Sequence, residues 1–170
     1  SVASPSAGQI SLYVFHLTGT AVTSTQQIVL GTATNFGYSG TSVTADDRIL
    51  VSASNSQGPL TNGPIAGKVL ALVDTSTAVF TALPNPVGLG VPGVLAALSG
   101  GAIDPSGKYA YVTMSQFPGT IGSLFTGVNN ADLYRVDLNM GTSCLLQSWP
   151  GESAFGVTCD NDGTVYVSST

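Results

Sequence analysis

The chain has 170 residues, 43% of them hydrophobic and only 8% charged, with a net charge of −5. Its cations, Arg48, Lys68, Lys108 and Arg135, are too few and too dispersed to form a phosphate-neutralising stripe or a polybasic membrane patch, so neither nucleic acid nor a membrane is expected as a partner. No apolar run reaches the roughly 18 residues that would cross a bilayer, and the hydrophobic content is too high for a disordered chain.

Taken in chain order, the residues read as strands throughout. Residues 10–16 and 27–30 are two apolar runs joined by a polar stretch. Residues 43–51 alternate around Asp46 and Asp47, and predict a β-hairpin. Two further strands follow at 69–74 and 78–83. The clearest hairpin is 102–112, where Asp104-Pro105-Ser106-Gly107 supplies a capping carboxylate and a glycine free to take positive φ. Strands at 132–137 and 144–149 come next, and the hairpin 157–167 turns through Asp160-Asn161-Asp162-Gly163. Asp46, Asp104, Asp160 and Asp162 are therefore expected to cap turns. A calcium loop at Asp160 would need a later glutamate that the sequence lacks.

The order of these elements is a repeat. Calling each Asp-turn hairpin A–B and the pair after it C–D, the chain runs C–D, A–B–C–D, A–B–C–D, A–B. The C strands end at His16, Asp74 and Asp137, a spacing of about 50–60 residues, which is that of a four-stranded propeller blade. The expected fold is all-β: a β-propeller of three four-stranded blades, half of a six-bladed ring, formed by a single domain over residues 1–170. Unpaired half-blades stand at both termini. Three blades cannot close a ring, and exposed strand edges invite pairing. The expected partner is a second half-propeller chain, either another copy, a companion fragment, or successive copies in a filament.

The hairpin Ile103-Asp104-Pro105-Ser106-Gly107-Lys108-Tyr109-Ala110-Tyr111-Val112 resembles those of the YVTN, NHL and strictosidine-synthase-like (SMP-30) propellers, in which a D-x-[SD]-G turn precedes a Tyr/Val-rich strand. The resemblance implies a propeller fold but spans lactonases, cyclases and plain scaffolds, so it selects no single activity. The lactonase members hold a divalent metal with Glu, Asn and Asp. Here the only glutamate, Glu152, has no evident companions, so no metal and no other cofactor is expected.

In a propeller the ligand face is built from the D-to-A and B-to-C connections. Those segments are rich in aromatic and aliphatic residues among glycines, and predict a funnel for a small, largely apolar molecule. Its expected lining is Asn35, Phe36, Tyr38, Asn62, Gln116, Phe117, Phe125, Asn130, Glu152 and Phe155, with Tyr38, Gln116 and Glu152 as catalytic candidates. The chemistry would be a metal-independent cyclisation or isomerisation of a hydrophobic natural product, achieved by preorganisation. The competing readings are a structural module with no ligand, its loops packed over the channel and against the partner half, and an SMP-30-like lactonase or hydrolase, which would need a tightly bound divalent ion. His16, the sole histidine, is expected to partner the neighbouring hairpin, since no G-x-S-x-G accompanies it. Cys144 and Cys159, on separate strands, are expected to be buried free thiols. A surface of hydroxyls and amides in place of lysine and glutamate points to an extracellular protein.

Overall fold

The computed structural model describes residues 8–33, 37–44, 48–55, 58–86, 94–118 and 130–169, and among them every regular element is a β-strand. Strands β1 (Gly8–Thr18) and β2 (Ala21–Ala33) form a two-stranded antiparallel sheet. Strands β3 (Gly37–Val43), β4 (Ile49–Asn55), β6 (Leu70–Asp74) and β7 (Val79–Ala82) follow as an antiparallel meander, with the short β5 (Gly58–Pro59) beside β4. A second meander holds β8 (Val94–Ile103), β9 (Tyr109–Pro118), β10 (Asn130–Asp137) and β11 (Thr142–Pro150). Strands β12 (Ala154–Cys159) and β13 (Val165–Ser169) pair only with each other. None of the four sheets closes on itself.

The turns behave as their residues dictate. Asp104 accepts from the Tyr109 amide at 2.8 Å and from Ser106 Oγ at 2.6 Å, while Gly107 takes φ +69°. Asp160 accepts from the Thr164 amide at 2.9 Å, Asp162 from the same amide at 3.0 Å, and Gly163 takes φ +88°. Thr44 replaces aspartate in the hairpin β3–β4, its hydroxyl bonded to both the amide and the carbonyl of Arg48. Asp46 lies outside the described residues. Asp74 and Asp137 cap the other kind of turn, between β6 and β7 and between β10 and β11.

Alternation along the strands then stacks the sheets in chain order. In the first meander Leu50, Leu70 and Leu72 point one way and pack with Ala110, Val112, Met114, Tyr134 and Val136 of the second. Val51, Ala71 and Val73 point the other way and pack with Ile28 and Leu30 of β2, with Ile10, Leu12 and Val14 of β1 at the margin. The meander is thus buried on both faces, and its central strand β6 reads as an unbroken apolar run. The last hairpin is fastened differently. Ser115 of β9 donates its hydroxyl to the Ala154 carbonyl at 3.0 Å and accepts from the Ala154 amide at 2.9 Å, all buried. Close by, Gly100 and Gly156 let two backbones approach so that a Cβ on Gly100 would lie 3.3 Å from the Gly156 Cα. The opening strands of three successive sheets are neighbours, with β8 lying against β3 and also against β12.

Acid should loosen this stack through the turn caps. The Asp74 carboxyl is held below its ordinary value by the Ser76 and Thr77 hydrogen bonds, and that of Asp137 by the Met140 and Asn139 amides, with Lys108 and Arg135 adding to it. A carboxyl with a depressed folded pKa stabilises fully above its unfolded value, near 3.9, and loses that contribution as pH falls through the folded one. Thermal midpoints should therefore be flat between about pH 7 and 5 and drop below about pH 4; a midpoint that rises on acidification would contradict the sign.

Candidate functional site

Four of the residues expected to line a funnel converge at one end of the second meander. Gln116 of β9, Asn130 of β10 and Pro150 of β11 lie at one level in the strand register, and Glu152 follows in the turn to β12. Phe155 comes next, on β12, 61% exposed. Asn62 is elsewhere: it bridges Thr32 of β2, and its carbonyl occupies the space that a side chain on Gly31 would need. That makes it a packing position. Tyr38 and Phe117 are placed as backbone positions only, opposite Ser54 and Leu95. Asn35, Phe36 and Phe125 lie outside the described residues.

The connections are shorter than the sequence suggests. Tyr38, Gln116, Phe117 and Phe155 were expected in the connections, and all lie in strands. The reason is register: the pairing of β8 with β9 continues without interruption from Leu95↔Phe117 to Val94↔Pro118, so the ladder extends through residues whose glycine-rich surroundings suggest loop.

At this end a buried carboxylate ties three strands together. Asp132 of β10 accepts from Gln116 Nε2 at 2.7 Å and from Ser148 Oγ of β11 at 2.6 Å. Burial, and then the charge and hydrogen bond of Asp132, push the Tyr134 phenol up to about 12, so it stays protonated as a donor. The sequence reading takes Asp132 only as the start of a strand; a carboxylate beginning the otherwise apolar run Leu133-Tyr134 was the one available signal. With its oxygens taken by neutral donors, Asp132 is a cross-strand clamp, and the Gln116 amide that serves it is committed to the scaffold. Among the described residues no cluster of three or more His, Cys, Asp or Glu could hold a metal ion.

Lys108 and Arg135 both sit over the Tyr109 ring, at 4.9 and 4.7 Å from its centre. His16 is exposed on β1, its carbonyl accepts from Thr23 Oγ1 at 3.1 Å, and its side chain makes no hydrogen bond to a neighbouring hairpin among the described residues. The thiols are free, but Cys144 is exposed, because β11 is an outer strand and position 144 lies beside the exposed Arg135. Thr113 Oγ1 is buried without a hydrogen-bond partner among the described residues. Thr113→Val keeps the shape and removes that hydroxyl, so stability should be unchanged or rise by up to about 1 kcal/mol in urea unfolding.

The most distinctive feature is at the two ends of the stack. In β1–β2 the inner face is used, while Tyr13, Phe15, Leu17 and Val22 are each more than half exposed, and the rings of Tyr13 and Phe15 stack at 6.5 Å. At the other end, the hydrogen bond from the Asp160 amide to the Thr164 carbonyl sets the alternation of β13. Thr164, Tyr166 and Ser168 turn their backbone groups to β12, and Val165, Val167 and Ser169 present theirs to an edge with no strand beside it among the described residues. A single exposed Leu is ordinary; an exposed aromatic sheet face and an open strand edge are less so.

No protein-family model matches the sequence, and no curated protein is similar to it.

Proposed function

We propose that this chain is an assembly segment of a β-propeller: two four-stranded blades flanked by two half-blades, whose open edges take up further strands, in the chain on its own those of a second copy. The observation that supports this reading is the succession of sheets with two, four, four and two strands along their main paths, the two-residue β5 lying off the second path, stacked in order and with open edges at both outer sheets among the described residues. The neighbouring positions of β3, β8 and β12 support it, because the innermost strands of successive blades surround a propeller axis. The resemblance of the Asp-turn hairpins to those of YVTN, NHL and SMP-30-like propellers agrees. The hydroxyl- and amide-rich surface favours an extracellular setting.

Native mass spectrometry and size exclusion across a concentration series test this. The expected species has twice the 17.1 kDa chain mass. A monomer at every concentration would contradict it.

A second reading is favoured by the grouping of Gln116, Asn130, Glu152 and Phe155 at the connection end of the second meander. The closed ring would then bind a small, largely apolar molecule in its central funnel. Titration with hydrophobic probes, monitored by Trp149 fluorescence, should then give a saturable change that Glu152→Ala weakens about tenfold, the loss of one hydrogen bond to a charged group. Cyclase or isomerase chemistry would require such binding first.

A further inference from the structure

We infer that Asn62 and Gly63 form a self-modification site: ring closure between them converts Asn62 to isoaspartate, and the product no longer fits the place on β2 that Asn62 holds. The inference is independent of the assembly reading.

The chain has a single Asn-Gly step, at residues 62–63. In such a step the glycine amide nitrogen can attack the asparagine side-chain carbonyl, because no Cβ on the following residue shields it. A bond forms between Gly63 N and Asn62 Cγ, the Cγ–Nδ2 bond breaks, and ammonia leaves with the proton that the amide gives up. Water then opens the cyclic imide at one of its two carbonyls. Opening at Cγ leaves aspartate in an unchanged main chain. Opening at the Asn62 main-chain carbonyl leaves isoaspartate, with the chain running through Cγ and the former main-chain carbonyl set free as a carboxylate. The surroundings favour this step over the Asp162-Gly163 turn, where a similar ring could close. Asn62 is exposed between β5 and β6, its side chain makes no hydrogen bond among the described residues, and Gly63 takes φ +100°. At the other turn both reacting groups are engaged: Asp162 accepts from Thr164 Oγ1 at 2.6 Å, and the Gly163 amide donates to the Asp160 carbonyl at 3.2 Å.

What the change would do follows from where Asn62 sits. Residues 60–67 form a loop closed by the bond from the Gly67 amide to the Leu60 carbonyl at 3.0 Å. The loop is fastened to β2 by Thr61, whose hydroxyl donates to the Thr32 carbonyl at 3.2 Å, and by the bridge from Asn62 to Thr32. Its anchors are Leu60 and Ile65, each 1% exposed, in the cluster that joins Ile28 and Leu30 of β2 to Val51 and Val73 of the first meander. The fit is close: the Asn62 carbonyl occupies the space beside Gly31, and a Cβ on Gly63 would lie 2.7 Å from the Leu30 carbonyl oxygen. Isoaspartate lengthens the main chain by one carbon at this contact, and turns the carbonyl beside Gly31 into a carboxylate that must give up hydration to stay there. Both changes fall where backbone meets backbone, so the loop does not dock again. The bridge to Thr32 also resists the rotation that brings Gly63 N onto Asn62 Cγ, so conversion awaits local opening of residues 60–67. The site is thus a one-way record of that opening, and its product loosens the first meander from β2.

Ageing the full chain in mildly alkaline buffer, followed by peptide mapping against synthetic aspartate and isoaspartate standards, tests this. Isoaspartate should accumulate at residue 62 ahead of every other asparagine and of Asp162, at a rate that rises with hydroxide concentration. It should form more slowly than in a free peptide of residues 58–67. Asn62→Gln, which would have to close a larger ring, should stay unconverted over the same period. In the isoaspartate fraction, hydrogen exchange at residues 28–30 and 60–67 should be faster than in the unaged chain. Asn62→Asp carries the other product's charge on an unchanged main chain, and should exchange like the unaged chain. Absence of isoaspartate at residue 62 after the peptide has converted, or earlier conversion elsewhere in the chain, overturns the site. Conversion as fast as in the peptide overturns its gating by local opening. An isoaspartate chain that exchanges no faster than Asn62→Asp overturns the loosening.

Discussion

Leu50→Ala is expected to destabilise the chain by about 2–5 kcal/mol, the range for truncating a fully buried leucine. Leu50 is 1% exposed and sits between the two meanders, in the cluster that holds Leu70, Leu72, Val112 and Met114. Across from it the sequence places Gly101, where an added Cβ would come within 3.0 Å of Leu50 Cδ2. The two residues are a fitted pair, with a large side chain on one sheet occupying the space left by glycine on the next. Gly101→Ala alone should therefore cost stability by overpacking. Combined with Leu50→Ala it should cost less than the sum, because the alanine methyl partly fills the cavity. Urea unfolding of the two single variants and the double one gives the coupling, which should amount to about 0.5–3 kcal/mol. Strict additivity would mean that the meanders do not meet at this point.

The second large effect is expected at the other interface. Ser115→Ala removes both hydrogen bonds to Ala154, and leaves a buried amide and a buried carbonyl without partners, at about 1–3 kcal/mol for each group. Because Ser115 joins the second meander to β12, the loss should appear first as local opening of β12–β13. Hydrogen exchange in Val165–Ser169 should accelerate more than exchange in Leu70–Asp74, where no contact changes. Ser115→Thr keeps the hydroxyl and should restore most of the loss if the added methyl finds room. A uniform acceleration across all sheets would show that the serine acts on global stability instead.

Much of this architecture was legible in the residues. Two of the three hairpins are encoded locally, by a carboxylate that bonds the amides of its own turn and by a glycine that takes positive φ, while Thr44 does the capping in the third. The observed pairs Ile103↔Ala110 and Cys159↔Val165 fall where those turns require. The strands at 69–74 and 132–137 were legible because both their faces are buried, which leaves an apolar run with a capping Asp at its end. What was missed has a common cause, namely strands held by their ladder rather than by their side chains. Strand β2 runs from Ala21 to Ala33, yet Thr23, Ser24, Thr25 and Gln27 are exposed and show no apolar alternation, so only residues 27–30 read as a strand. The ends of β8 and β9 were read as loop for the same reason. The Asp132 clamp depends on three strands meeting, a fact of register that no local pattern contains. Cys144 was expected inside because cysteine usually is, but its position on an outer strand leaves it exposed.

Strand pairs were expected near both ends, at residues 10–30 and 157–167, and both are two-stranded sheets among the described residues.

The central claim proposed above, that the free edge of β13 takes up a further strand, is tested most directly by amide hydrogen exchange of Val165, Val167 and Ser169 at two protein concentrations. These amides point away from β12, to an edge with no strand beside it among the described residues. The account predicts slow exchange at high concentration and faster exchange on dilution, in step with the loss of the dimer mass. Fast exchange of all three at every concentration would contradict it.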